Sequence, residues 1–218
     1  MDVFTVVHDI RAWHRARGLR WSDLAHRAEY DAQTASLLKE CAIDYVVTLG
    51  YLHVLTAPML DAFDGRIVNV HDADLDVRDL RGVPRYHGLR ATRDALLEGQ
   101  RETRSTAHLV TADLDGGPVL VRSWDYPVHV LVQDALAMDS EDILKAYAFA
   151  HREWMMRTSW GRLALVALDY LIRGRVQVFG DAAVVDGTFG GVTLGSPSSP
   201  DAVLPPLFGA PPRLTVVQ

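Results

Sequence analysis

Short apolar segments that alternate between strand and helix patterns constrain the fold of this chain more than any other feature. Residues 43–50 are rich in β-branched side chains and end at a glycine, residues 55–63 carry proline in a first helical turn, and residues 66–70 form another apolar run. A strand at 3–7 and a helix at 22–41 are predicted ahead of them. Because parallel strands need a crossover between them, this order predicts an α/β fold with an open, mostly parallel sheet and flanking helices.

The second half of the chain has a more mixed pattern. Its predicted elements are a helix at 92–98, a hairpin of strands 106–111 and 119–124, a long helix over 140–171 that Gly161 breaks or kinks, and a small hairpin of strands 176–179 and 182–185. Residues 1–195 are therefore predicted to form one domain. Residues 196–218, which are rich in serine and proline, are predicted to form an irregular tail.

Charge and cysteine content exclude several functional classes. The 218 residues carry a formal net charge of -6, which provides no basic field for a polyanion, so nucleic acid is not expected as a partner. Cys41 is the single cysteine and cannot form an internal disulfide, which fits a reducing compartment. No apolar run approaches the length of a membrane-spanning helix. A cytoplasmic protein without a membrane partner is the expectation.

Three polar side chains are candidates for chemistry. Asn69 and His71 lie two residues apart at the end of a predicted strand, so both side chains point to one face of the sheet. Asp115 lies in a glycine-rich turn between the two strands of the predicted hairpin. Residues 72–81 carry several carboxylates but no second histidine, which favours a solvated loop, and no metal is predicted.

Four segments resemble the folate-dependent formyltransferase family, and within it the branch that formylates glycinamide ribonucleotide. They are residues 44–55, 65–71, 86–96 and 108–119, with the most specific matches in Asn69-Val70-His71 and Leu114-Asp115-Gly116-Gly117-Pro118. The order and spacing agree over roughly residues 3–190. The resemblance implies a Rossmann-like fold.

The resemblance also implies transfer of a formyl group from 10-formyltetrahydrofolate to a small-molecule amine, with Asn69, His71 and Asp115 as the catalytic residues. Amine attack places negative charge on the formyl oxygen, which an amide donor and a protonated imidazole stabilise. Protons must move between two nitrogens, and histidine titrates in the right range. An aspartate that reaches this histidine would order the proton transfer.

A folate pocket is the next implication of the resemblance. The residues expected to bind the formyl donor are Leu52, His53, Val54, Leu55, Val110, Thr111, Asp113 and Leu114, together with Arg27, which would pair with the glutamate carboxylate of the folate. Most of these contacts are expected from backbone groups, so the side chains there are free to vary.

Two departures from the family leave the acceptor open. No residues here match the family's first strand and its glycine-rich phosphate loop, so an amino-terminally shortened fold is expected, with a sheet edge that a homodimer or the tail would cover. After His71 the family has proline, whereas this chain continues with an acidic loop, Asp72-Ala73-Asp74-Leu75-Asp76, which would suit a cationic amine better than a phosphorylated one.

Three further functions remain open on these residues. A formyltetrahydrofolate hydrolase would use the same three residues with water as nucleophile. A sugar-amine formyltransferase would differ in the acceptor alone, and a shortened relative that binds folate without catalysis would retain the pocket only. Formylation of methionyl-tRNA is disfavoured, because the acidic chain has no recognisable tRNA-binding domain.

Overall fold

The computed structural model describes residues 4–20 and 24–196. The α-helices in these ranges are α1 (Ile10–Ala16), α2 (Arg27–Glu40), α3 (Ala57–Ala62), α4 (Ala91–Leu97), α5 (Leu131–Ala137), α6 (Glu141–Met155) and α7 (Gly161–Ile172). The strands are β1 (Val46–Leu49), β2 (Ile67–His71), β3 (Glu102–Thr103), β4 (Thr106–Leu109), β5 (Val119–Arg122), β6 (Tyr126–Pro127), β7 (Val176–Phe179), β8 (Ala182–Val185), β9 (Thr188–Phe189) and β10 (Val192–Thr193).

A five-stranded open sheet in the order β1-β2-β4-β5-β10 forms the centre of the molecule. Strands β1 and β2 are parallel, as are β5 and β10, whereas β4 runs antiparallel to both of its neighbours. Strands β3 and β6 form a separate pair, and β7, β8 and β9 form a small antiparallel sheet. The predicted α/β class with an open sheet and flanking helices is confirmed, and the pairings within the central sheet are mixed.

Each face of the central sheet packs against its own helices. Val68 and Val70 of β2 belong to a core with Leu163 and Ala167 of α7, where all four side chains are almost fully buried. The opposite face has a smaller core, in which Ile67 packs with residues of α2 and α3. Because side chains alternate along a strand, the face that carries Ile67 also carries Asn69 and His71. That face is apolar at one end and polar at the other.

Two predicted elements differ from the structure. Residues 4–9 form no strand: Phe4 and Val7 are exposed, and no described strand pairs with this segment, so its β-branched residues have no sheet to join. Gly161 does not break the long helix, because it adopts ordinary right-handed helical angles. The interruption is a single π-helical turn, Met156–Trp160, directly before it.

Other predicted elements agree with the structure closely. Helix α3 follows Thr56 with Pro58 in its first turn, α4 and the hairpin of β4 and β5 lie where predicted, and Ser140 is the residue before α6. The first two residues of the helix predicted at 22–41 and most of the predicted tail, residues 197–218, lie outside the described residues. Helices α1 and α5 were not predicted.

Candidate active site

Strand register brings five polar side chains together on one face of the sheet. Asn69 of β2 stands opposite Thr48 of β1 on one side and opposite His108 of β4 on the other. His71, one step further along β2, faces Thr106 of β4. Cross-strand neighbours of this kind lie close enough for direct side-chain contact. Asn69 therefore sits between a hydroxyl group and an imidazole.

Both ends of the Asn69 amide are held. The Nδ1 atom of His108 lies 2.9 Å from the carbonyl oxygen of Leu109, which can only accept, so Nδ1 carries the proton and Nε2 is an acceptor. The Asn69 amide nitrogen donates to this Nε2 atom over 3.1 Å. The Thr48 hydroxyl donates to the Asn69 amide oxygen over 2.7 Å. One N–H of the Asn69 amide remains for another acceptor.

The segment that follows the acidic loop fixes His71 and Asp115 at the same time. Nε2 of His71 lies 3.0 Å from the carbonyl oxygen of Tyr86 and donates to it. The backbone N–H of Gly88 donates to Oδ2 of Asp115 over 2.8 Å. Tyr86 is itself buried, and its hydroxyl bonds with the carboxylate of Glu98. The ring of His71 thus presents Nδ1, rather than Nε2, to its surroundings.

Asp115 approaches both histidines. Its Oδ2 atom lies 3.6 Å from Nδ1 of His71, and its Oδ1 atom lies 3.7 Å from Nε2 of His108. These distances are longer than direct hydrogen bonds and leave room for adjustment on binding. The structure therefore brings the three residues predicted as catalytic, Asn69, His71 and Asp115, into one cluster with His108.

The glycine-rich turn has a steric reason for its sequence. Asp115 adopts a left-handed backbone with φ of 52°, a conformation that aspartate and asparagine tolerate better than most residues. A Cβ atom on Gly117 would lie 1.9 Å from the carbonyl oxygen of Leu109, so only glycine fits there. The turn can consequently fold back against β4 and carry Asp115 to the end of β2.

His108 and Thr48 are site residues that the sequence alone did not identify. Burial lowers the pKa of His108, although the nearby Asp115 acts in the opposite direction, so its ring is neutral at pH 7. A neutral ring can accept the hydrogen bond from Asn69, whereas a protonated ring cannot. A histidine inside an apolar strand was the available signal, but only the register shows which residue it faces.

The residues predicted to bind folate fall into different environments. Leu52, Val54 and Leu114 are exposed, as are Thr111 and Asp113. By contrast, Leu55 and Val110 pack against the smaller core beside α2 and α3. His53 is half-buried, with its ring edge against Tyr51. The involvement of these residues in folate binding stays a prediction.

Arg27 lies inside the protein rather than on an open surface. It is only 2% exposed, and its guanidinium carbon lies 5.9 Å from the centroid of the Tyr30 ring. Its Nε and Nη1 atoms have no hydrogen-bond partner among residues 4–20 and 24–196. A folate carboxylate could pair with this guanidinium only after the covering side chains move, so the predicted contact stays a prediction.

The acidic loop after His71 is largely neutralised by arginines from other elements. Asp72 pairs with Arg152 over 2.9 Å, Asp74 with Arg104 over 3.4 Å, and Asp76 with Arg122. Since opposite charges at such distances cancel most of their outward field, the loop is less repulsive toward anions than its sequence indicates. The argument for a cationic acceptor therefore no longer holds.

Among residues 4–20 and 24–196, no group of three or more histidine, cysteine or acidic side chains has an arrangement that could hold a metal ion. In the same ranges, no helix combines the length and apolar character needed to cross a bilayer.

The sequence of this chain is similar to those of known proteins. The family model described as formyl transferase matches residues 7–158. The phosphoribosylglycinamide formyltransferase of Escherichia coli is 29% identical over 161 residues, which are 74% of this chain and 65% of that protein. The trifunctional purine biosynthetic protein adenosine-3 of Drosophila melanogaster is 34% identical over 101 residues, which are 46% of this chain and 7% of that protein.

Among solved structures, glycinamide ribonucleotide transformylase 1 from Symbiobacterium toebii is 28% identical, with a TM-score of 0.52. The match covers 78% of this chain and 72% of that one. The chain therefore spans less than two thirds of the curated relatives described above, but a larger share of this structural neighbour.

Proposed function

The chain belongs to the formyl transferase family, and we propose that it transfers a formyl group from 10-formyltetrahydrofolate to the nitrogen of a small amine. The main observation in support is a single cluster that contains Asn69, His71 and Asp115. These are the residues that the family resemblance marks as catalytic. The separation of 3.6 Å between His71 and Asp115 lets a proton pass between them after a small movement.

Each residue of the cluster has a task in this reaction. The amine nitrogen bonds to the formyl carbon, negative charge develops on the formyl oxygen, and the carbon then separates from the folate nitrogen. The remaining N–H of Asn69 can donate to that oxygen, because the amide is already oriented by Thr48 and His108. No reorganisation of the amide is needed at the moment of attack.

Proton balance assigns the other two residues. The amine loses one proton and the folate nitrogen gains one, so the products are a formamide and tetrahydrofolate. Because Nε2 of His71 donates to the Tyr86 carbonyl, Nδ1 is the ring atom that is left to accept a proton. Asp115 lies beside Nδ1 and can accept the proton from the amine side, directly or through water.

The residues predicted to bind the formyl donor suit a flat, partly apolar ligand. Leu52 and Val54 lie in the segment after β1, and Leu114 lies in the turn that carries Asp115; all three side chains are exposed. Exposed apolar side chains around polar catalytic groups are typical of small-molecule sites. The formyl donor supplies the carbon to be transferred, and these residues supply contact area for its ring system.

The proposal is tested by incubating the purified chain with 10-formyltetrahydrofolate and a panel of amines. The panel contains glycinamide ribonucleotide, glycinamide without phosphate, an amino sugar, and a control with water only. Formamide products are measured by mass spectrometry and tetrahydrofolate by absorbance. Formate release at the same rate with and without amine would show that the protein is a hydrolase and not a transferase. Folate binding without any product would favour a non-catalytic protein.

Asp115→Asn is the sharpest variant for this assay. Asparagine keeps an oxygen for the Gly88 N–H and tolerates the left-handed backbone, so the fold should be retained. Loss of the carboxylate should lower kcat on the order of 100-fold or more. Asp134→Asn, an exposed position in α5, is the matched control and should leave kcat unchanged. Equal rates for Asp115→Asn and the unmodified chain would remove Asp115 from the mechanism.

A further inference from the structure

Asp72 is a buried carboxylate that the proposed reaction does not yet use. Its side chain is 8% exposed, and its Oδ1 atom lies 3.9 Å from Nδ1 of His71. Asp72 follows His71 directly in the chain, so a second carboxylate lies beside the histidine. Nδ1 of His71 therefore has two carboxylate oxygens within 4 Å, one from Asp72 and one from Asp115.

The other oxygen of Asp72 is fully engaged. Oδ2 accepts from Nε of Arg152 over 2.9 Å and from the hydroxyl of Thr92 over 2.7 Å. Arg152 comes from α6 and Thr92 from α4, so two helices fix the orientation of one carboxylate. This arrangement leaves Oδ1 directed toward the histidine. A buried carboxylate is tolerated here because a guanidinium compensates its charge.

Arg152 is held in turn by an aromatic ring. Its guanidinium carbon lies 5.4 Å from the centroid of the Trp160 ring, within the range of a cation–π contact. The indole N–H of Trp160 donates to the hydroxyl of Ser105 over 3.1 Å. Trp160 is the last residue of the π-helical turn between α6 and α7. A continuous set of contacts thus runs from that turn through Arg152 and Asp72 to His71.

We propose that Asp72, oriented by Arg152, is a positioning residue that acts through His71 and stabilises a proton on its Nδ1 atom together with Asp115. The inference rests on the proposed role of His71 in proton transfer. A protonated His71 is the form that can donate to a formyl oxygen or to a departing nitrogen.

The groups that face His71 come from every neighbouring element. Asp72 follows β2 directly, Asp115 belongs to the turn after β4, His108 lies in β4, and the Tyr86 carbonyl precedes α4. His108 is neutral near pH 7 because burial lowers its pKa, and a backbone carbonyl does not titrate. Asp72 and Asp115 are the two carboxylates within 4 Å of Nδ1, and Arg152 is the cation that pairs with Asp72.

The test is an NMR titration of the histidine ring signals, with the His71 signal assigned by its absence in His71→Gln. Asp72→Asn should lower the titration midpoint of His71 by about 0.5 to 1 pH unit, because one of two neighbouring negative charges is lost. Asparagine keeps an oxygen that can accept from Arg152 and Thr92, so the fold should be retained. An unchanged midpoint would overturn the proposal.

Asp76→Asn is the matched control for this titration. Asp76 belongs to the same loop and is likewise paired with an arginine, Arg122, but it has no contact with His71 in the described residues. Its replacement should leave the midpoint of His71 within about 0.2 pH unit of the unmodified chain. An equal shift in both variants would show a general charge effect and would also overturn the proposal.

A double-mutant comparison tests the part played by Arg152. If Arg152 acts by orienting Asp72, then Arg152→Gln should change the His71 midpoint in the unmodified chain and have a smaller effect in the Asp72→Asn background. Equal effects in both backgrounds would contradict this link.

Turnover measurements separate the inference from the proposed function. If the chain forms a formamide product, the alkaline limb of the pH profile of kcat should move to lower pH in Asp72→Asn. This shift should parallel the shift in the titration of His71. If no amine is formylated, the proposed function fails, and the titration still decides whether Asp72 acts on His71. If formylation occurs but the midpoint does not move, the function stands and the inference fails.

Discussion

At the scale of single residues, the candidate site depends on how each polar group is oriented as well as on which groups are present. The Asn69 amide has a defined rotamer because a hydroxyl holds its oxygen and a neutral imidazole accepts from its nitrogen. His71 has a defined tautomer because a backbone carbonyl accepts from Nε2. Such fixed donors avoid the cost of reorienting dipoles when charge develops during the reaction.

Thr48→Val tests the orientation of Asn69 without touching a reacting group. Valine has nearly the same shape as threonine but cannot donate to the Asn69 oxygen, so the amide can rotate away. We expect kcat to fall about 10-fold with KM within about twofold, measured with the best acceptor from the amine panel.

Thr34→Val is the control for this substitution. Thr34 is also a buried threonine whose hydroxyl makes hydrogen bonds, with Tyr30 and His8, but it lies in the packing of α2. The substitution Thr34→Val should lower the free energy of unfolding without lowering kcat. A kcat for Thr48→Val equal to that of Thr34→Val would mean that the orientation of Asn69 does not limit the reaction.

At the scale of elements, the hairpin of β4 and β5 determines where Asp115 lies. The turn between the strands folds back so closely that Gly117 meets the carbonyl oxygen of Leu109. The segment after the acidic loop then places the Gly88 N–H on Asp115. A loop and a turn that are distant in sequence therefore hold the carboxylate from two sides of the site.

Gly117→Ala should destabilise the hairpin, because the added Cβ would lie 1.9 Å from a carbonyl oxygen and the backbone must shift. We expect a loss of roughly 2 kcal/mol or more in the free energy of unfolding, measured with urea. Gly161→Ala is the control: Gly161 has helical angles and open space around its Cβ position. It should be neutral or stabilising by up to about 1 kcal/mol. Equal effects of the two substitutions would contradict the steric account.

At the scale of the whole molecule, two histidines are buried in the neutral form. Burial lowers the pKa values of His108 and His151 below the ordinary value of 6.5. The unfolded chain therefore binds more protons than the folded one as the pH falls through 6.5. It follows that these two residues contribute stability above pH 6.5, and that this contribution decreases as the pH falls toward their folded pKa values.

Urea unfolding at pH 7, 6 and 5 measures this dependence. The free energy of unfolding should fall with decreasing pH, with His108 contributing on the order of 1 kcal/mol per pH unit. His108→Gln should give a shallower dependence, whereas His129→Gln, at an exposed position, should keep the slope of the unmodified chain. Identical slopes in all three proteins would show that His108 does not titrate differently on folding.

The sequence by itself determined the fold class, the approximate places of β1, α3, β2, α4, β4 and β5, and the shared face of Asn69 and His71. These properties are local: apolar periodicity, turn residues and the alternation of side chains along a strand set them. Residues 4–9 show the limit of local patterns, because a β-branched segment becomes a strand only where a neighbouring strand can pair with it.

Only the tertiary structure decided which groups surround Asn69 and His71. Strand register placed Thr48 and His108 beside Asn69, and the packing of α6 brought Arg152 to Asp72, whose carboxylate lies beside His71. The arginine partners of the acidic loop likewise removed the argument that this loop favours a cationic acceptor. Register and long-range ion pairs depend on how distant segments pack, and no periodicity in one segment encodes the position of another.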